Sequence, residues 1–192
     1  MKRAGCLVVF ALLSACSKSS QAPPEFKVRF DTSKGPFVIE VHREWAPNGV
    51  DRFYQLVKAG YYDEARFFRV VPNFVVQWGI NKDPKVSRQW SQTFIPDDPV
   101  KESNHRGYIT YAKRGPDTRT TQLFINLADN VSLDPMGFAP FGKLTEGMDV
   151  VQNLYSGYGQ TPQQNLIQFQ GNAYLESQFP KLDYIKTARV EQ

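Results

Sequence analysis

Between residues 26 and 190 the apolar residues come in short runs, about four to eight long, cut apart by Gly, Pro, Asn and Ser. Runs of that length, rich in Val, Ile, Phe and Tyr, fit strands joined by turns better than long helices. A strand satisfies its backbone only against neighbouring strands, so many short ones point to one sheet closed on itself. Aromatic residues make up 14% of the 192, with 14 Phe and 9 Tyr, which is ample for a core inside such a sheet. A charged share of 22% beside an apolar share of 41% excludes a disordered chain. Two Cys exclude a disulfide scaffold, and with only two His they exclude a zinc-finger array.

The N-terminal segment follows different rules. Lys2 and Arg3 form a basic start, residues 7–13 an apolar run, and Leu13-Ser14-Ala15-Cys16 a small-residue ending. That order reads as a signal sequence, because the run is too short for a bilayer core about 30 Å thick. The Leu-Ser-Ala-Cys ending resembles the lipobox of bacterial lipoproteins. The resemblance implies removal of residues 1–15 and acylation of Cys16. The protein would then be exported and lipid-anchored to the bacterial cell envelope, at the periplasmic face if the source is Gram-negative. Cleavage removes Lys2, Arg3 and no acid, lowering the formal charge from +4 to +2, so no nucleic-acid partner is expected. Cys6 leaves as well, and with Cys16 acylated the remaining domain has no disulfide. Residues 16–25 are polar, carry Pro23-Pro24 and read as a flexible tether. Residues 26–192 then form a single domain.

Within it, residues 26–31 and 37–41 read as a hairpin around Ser33-Lys34-Gly35-Pro36. Ala46-Pro47-Asn48 opens a helix whose buried stripe is Val50, Phe53, Tyr54 and Val57, with Gly60 as its stop. Strands follow at 66–71 and 74–78, then a long polar surface loop at 79–106, placed to drape over the sheet or border a site. Further strands are expected at 108–112, 123–127, 138–144 and 184–190, with a short helix at 148–155 and another at 172–179. The Gly- and Gln-rich stretch 156–171 reads as mobile.

The chemical clue is Phe67-Phe68-Arg69-Val70-Val71-Pro72-Asn73-Phe74-Val75-Val76-Gln77-Trp78-Gly79. Alternation puts Arg69 and Val71 on one face, Phe68 and Val70 on the other, and Val75 with Gln77. An Arg and a Gln in apolar strands need partners, since a buried unpaired charge is costly. A second stretch, residues 107–126, has a strand, a tight polar loop and a strand. Taken with Phe-x-Arg-x-x-Pro-x-Phe-x-x-Gln before it, and Phe141-Gly142-Lys143 and Glu146-Gly147-Met148 after it, the order resembles the cyclophilins. The resemblance runs from about Phe26 to Val190.

It implies a mainly β fold, a closed eight-stranded antiparallel barrel with two capping helices, and peptidyl-prolyl cis-trans isomerase activity without cofactor or metal. The family's catalytic arginine falls on Arg69 and the glutamine beside it on Gln77. Its proline pocket falls on Phe74, Val75, Phe124 and Leu133, with Phe138 where other members have His or an aromatic residue. A second glutamine of the site falls on Gln122, and the backbone that binds the substrate peptide on Ala112 and Lys113. The implied partners are proline-containing segments of exported proteins and, through Cys16, the membrane. The domain is expected to act as a monomer.

Departures from the family are local. Val75 stands where methionine is common, and Lys113 where asparagine is. Ser132 replaces the tryptophan of animal members that helps bind cyclosporin, which implies weak inhibition by that drug. Residues 132–138 carry one extra position, and Trp78-Gly79-Ile80 replaces a Gly-Gly-Asp. His42 and His105 lack a nucleophilic partner in the pattern, Asp97-Asp98 and Glu146 lack metal-site spacing, and the Lys113-Arg114 pair reads as solvated. A second reading of the same pattern is a non-catalytic chaperone or assembly lipoprotein that binds proline-containing peptides.

Overall fold

The structure is a computed structural model that describes residues 21–191. The expected signal sequence, Cys16 and residues 17–20 of the tether lie outside the described residues. Eight strands form one antiparallel sheet: β1 (Glu25–Thr32), β2 (Gly35–His42), β3 (Arg69–Val71), β4 (Val75–Trp78), β5 (Tyr108–Tyr111), β6 (Leu123–Asn126), β7 (Pro140–Glu146) and β8 (Ile185–Val190). Their order is β3-β4-β6-β5-β7-β2-β1-β8. The expected closed barrel is corrected here to an open, curled sheet, because β3 and β8 are its two ends and share no ladder. The physical reason is that β3 is only three residues long. Its Val70 amide donates to Gly159 in a loop at 3.0 Å. The two ends meet upstream, at the isolated bridge between Arg66 and Tyr184 and the bonds Phe67 N to Asp183 O, Ile185 N to Ala65 O and Glu64 N to Ile185 O, 3.0, 2.9 and 2.7 Å.

Five α-helices stand among the described residues, α1 (Pro47–Lys58), α2 (Pro84–Ser91), α3 (Met148–Gln152), α4 (Gln164–Gln170) and α5 (Asn172–Gln178). Of these, α1, α3 and α5 fall on stretches read as helical, and α2 and α4 come in addition to them and to the two capping helices that the resemblance implied. Helix α1 buries Val50, Phe53, Leu56 and Val57, so Leu56 takes the place expected for Tyr54, which is half-buried. Ala46 offers no side-chain cap. The Asp98 carboxylate supplies it instead, accepting from the Asn48 and Gly49 amides at 3.0 and 2.9 Å. A carboxylate there satisfies amides that have no partner inside the helix and meets the positive end of its dipole. The segment read as one surface loop therefore holds α2, begun by Pro84 and capped by Asp83, and a buried anchor at Asp98.

The main core is aromatic. Phe30 stacks on Phe37 at 4.8 Å, and Trp78 meets the edges of Phe30 and Phe67 at 5.9 and 5.6 Å. A second, smaller core joins Phe68 and Ile80 to Ile167, Tyr174, Leu175, Phe179 and Leu182. The stretch 156–171, read as mobile, is thus packed through Ile167 and Leu166. Phe68 was also misplaced by simple alternation: it lies in this second core while Val70 lies in the first, because the regular strand begins only at Arg69. The end of the expected tether is docked too, since Ala22 is buried and its amide donates to Asp51 at 3.0 Å. No helix among the described residues is long and apolar enough to cross a membrane.

Candidate active site

Strand register builds the site. Arg69 on β3 pairs with Gln77 on β4, Gln77 with Phe124 on β6, and Phe124 with Thr110 on β5. The neighbouring row, Val70, Val76, Ile125 and Ile109, points into the main core. Arg69, Gln77 and Phe124 therefore share the opposite face, since successive side chains on a strand alternate. Along that face the Arg69 Nη1 donates to Gln77 Oε1 at 3.0 Å, and Gln77 Nε2 donates to Gln122 Oε1 at 2.9 Å. The amide of Gln77 accepts and donates at once, which fixes the guanidinium in one orientation. The guanidinium carbon also sits 5.4 Å from the Phe74 ring centroid. Arg69 is half-buried, and burial lowers its pKa from the ordinary value. It remains charged at neutral pH, and no carboxylate pairs with it among the described residues.

The row opens into a cavity of about 570 Å³. Arg69, Phe74, Val75, Gln77, Ala112, Lys113, Gln122, Phe124, Leu133 and Phe138 all line it, so the structure brings every sequence-expected residue of the domain's site to one place. Phe124 and Phe138 meet edge to face at 5.8 Å. Val75 and Phe124 are buried, yet neither belongs to the main core. Lys113 differs from its reading as a solvated cation. Its side chain is 7% exposed, and its ammonium lies 2.7 Å from Asp97 and 5.5 Å over the Phe138 ring. Arg114 beside it is exposed.

Two supports hold these walls. Gly79 lies directly after β4 at φ +109, and a Cβ there would strike the Thr121 carbonyl and come within 2.7 Å of the Gln122 Cα. Only glycine lets the two segments approach so closely. Thr121 is further gripped by the hydroxyls of Tyr61 and Tyr62, at 3.2 and 3.0 Å, which sets Gln122 in place. The other support is Asn104, fully buried. Its amide donates to Asp134 Oδ1 and to the Phe138 carbonyl at 2.7 and 2.8 Å, while its own oxygen accepts from Thr110 at 2.9 Å. Burial pushes the Asp134 carboxyl up, but the hydrogen bonds from Ser103 and Asn104 outweigh it and hold its pKa below the usual carboxylate range. This network ties the segment carrying Leu133 and Phe138 to the sheet.

Sequence reasoning missed the far rim: Gln92 and Phe94 beyond α2, Gln164 and Gln168 on α4, and Thr118 and Thr120 in the polar loop. Gln164 and Gln168 lie four apart and so share a helix face. No apolar stripe was there to reveal that helix. Among the described residues no group of three or more His, Cys, Asp or Glu is placed to hold a metal ion.

Comparison with known proteins decides the family. The model of the cyclophilin-type peptidyl-prolyl cis-trans isomerases matches residues 27–170. This chain belongs to the cyclophilins. A peptidyl-prolyl cis-trans isomerase of Arabidopsis thaliana is 36% identical over 141 residues, covering 70% of this chain and 82% of the relative. One from Acinetobacter baylyi is 33% identical over 141 residues, covering 71% and 75%. Among solved structures, a cyclophilin-type isomerase of Cryptosporidium parvum superposes with a TM-score of 0.65 at 21% identity, covering 88% of this chain and 98% of that one. The same parvum cyclophilin was also solved in the presence of the dipeptide Ala-Pro. The row from Arg69 to Phe124 lies inside the residues that the family model matches.

Proposed function

We propose that this cyclophilin accelerates rotation about X-Pro bonds in exported proteins, held to the cell envelope by a lipid on Cys16, with Arg69 as the group that acts on the reacting imide. Rotation faces a barrier of about 18–20 kcal/mol because amide resonance is lost, and unaided exchange takes tens to hundreds of seconds. No bond breaks, so the reaction asks for no nucleophile and no proton acceptor. In the twisted state the proline nitrogen regains a lone pair. A fixed cationic donor aimed at it stabilises that state more than either planar one, which is the condition for catalysis. Arg69, steadied by Gln77 and Gln122 beside an apolar hollow, is the observation that carries the reading.

The hollow formed by Phe74, Val75, Phe124, Leu133 and Phe138 would grip the pyrrolidine ring, while backbone at Ala112 and Lys113 anchors the flanking peptide. A thousandfold acceleration corresponds to about 4 kcal/mol, within reach of one charged hydrogen bond worth about 1.5–3 kcal/mol together with positioning. Arg69→Ala should lower catalysed exchange by about 10²–10³-fold, as loss of one preorganised donor does elsewhere. Unchanged exchange with peptide binding retained would favour the binding-only chaperone instead. For the anchor, wild type should sediment with membranes and Cys16→Ala should not, because acyl chains supply the membrane affinity.

A further inference from the structure

The cavity is too large for a proline ring alone, so residues flanking the proline must meet its rim, and the rim has a sign. Its lining includes three cations, Arg69, Lys113 and Arg114, and no carboxylate among the described residues. Lys113 is already spent: Asp97 holds it at 2.7 Å, and Asp97 and Asp98 share Arg119, so those four groups cancel. The remaining nearby acid, Asp117, turns its Oδ1 to the Asp97 amide at 2.6 Å. Arg114 and Arg69 pair with no carboxylate among the described residues. Arg52 is a third such cation, donating to the Thr93 and Thr120 carbonyls at 2.7 and 3.2 Å and stapling the rim together. The turn carrying Arg114 is fixed, since the Arg114 and Gly115 amides both donate to Thr118 Oγ1 at 3.0 Å.

We infer that this rim selects proline segments with an acidic side chain close to the proline, and that Arg114 is the residue that reads it. The inference rests on the cavity being the prolyl-isomerase site. An ammonium tied back to Asp97 cannot serve a ligand, while the next residue along the chain, Arg114, is exposed and lines the cavity. Arg69 faces the imide and Arg52 faces carbonyls, so the free cation at the mouth is Arg114. The contact is made by an exposed cation, so it acts mainly on binding and is screened by salt.

The test uses three short peptides with one X-Pro bond, differing only in a Glu, a Lys or a Gln beside the bond. Their exchange is followed by NMR in low salt and in about 0.5 M salt, where screening shortens to a few ångströms. Wild type should favour Glu over Lys by roughly three- to tenfold, carried by KM with kcat little changed, and high salt should erase the preference. Arg114→Glu should reverse the order. The ratio of the two rates in one preparation does not depend on how much of the variant has folded. Equal rates for Glu and Lys peptides, or a ratio unmoved by Arg114→Glu, would overturn the inference while leaving the isomerase reading intact. No acceleration of the Gln peptide by wild type would instead overturn the isomerase reading itself.

Discussion

One wall of the cavity is carried by strands and the other by helices and loops, and the two obey different constraints. Arg69, Gln77 and Phe124 stand in consecutive ladder positions across β3, β4 and β6, so a shift of any one strand by a residue would turn its side chain to the wrong face. Gln92, Phe94, Gln164 and Gln168 stand on segments outside the sheet, where one side chain can change without moving the others. The strand wall is where the proposed chemistry is placed, because the β3–β4 ladder sets Arg69 beside Gln77. The helical and loop segments only border the cavity. Their helices are tied together at Gly171, whose φ of +62 brings α4 and α5 against the Lys82 carbonyl.

The comparison can be broken at the strand wall first. Gly79→Ala should cost about 3 kcal/mol or more, since it adds both a backbone collision and strain at positive φ, and it should displace Gln122. Urea unfolding and peptide exchange measured together would check this. An unshifted midpoint with full activity would mean the wall is not as rigid as described. A smaller effect is expected at Asp134, which fastens the segment bearing Leu133 and Phe138. Asp134→Ala leaves the buried Asn104 amide short of a partner and should destabilise by about 1–2 kcal/mol, with a raised KM.

The same carboxyl predicts a pH dependence. Its pKa in the folded state is depressed, so its stabilising effect is present above the usual carboxylate value near 4 and is lost as pH falls through the lower folded value. Thermal melts between about pH 5 and pH 2 should show wild type losing stability more steeply than Asp134→Asn. Parallel melting curves would remove Asp134 from the account. The smallest effect should be at the rim, where Gln164→Ala with Gln168→Ala should change KM by about threefold or less, as exposed polar contacts do, and leave kcat nearly alone.

The contrast between the walls also explains what the sequence disclosed. Arg69, Gln77, Gln122 and Phe124 were legible only through the resemblance to the cyclophilins, and strand pairing then sets Arg69, Gln77 and Phe124 in one row. β1, β2 and α1 were legible from turn residues and an apolar stripe. Helices α2 and α4 were not, since Val86 and Trp90, or Leu166 and Ile167, are too few among polar neighbours to mark a face. Openness of the sheet was hidden as well, because it depends on how few residues of β3 stay in register. The anchoring of Lys113 by Asp97, distant in sequence, has no local signature at all.

The central claim is that one guanidinium lowers the barrier to imide rotation. Proline exchange in a short Ala-Pro peptide, measured by NMR with wild type and Arg69→Ala at equal peptide occupancy, addresses it directly. The account predicts fast exchange with wild type and a fall of about 10²–10³-fold in the variant. Equal exchange rates at equal occupancy would contradict it.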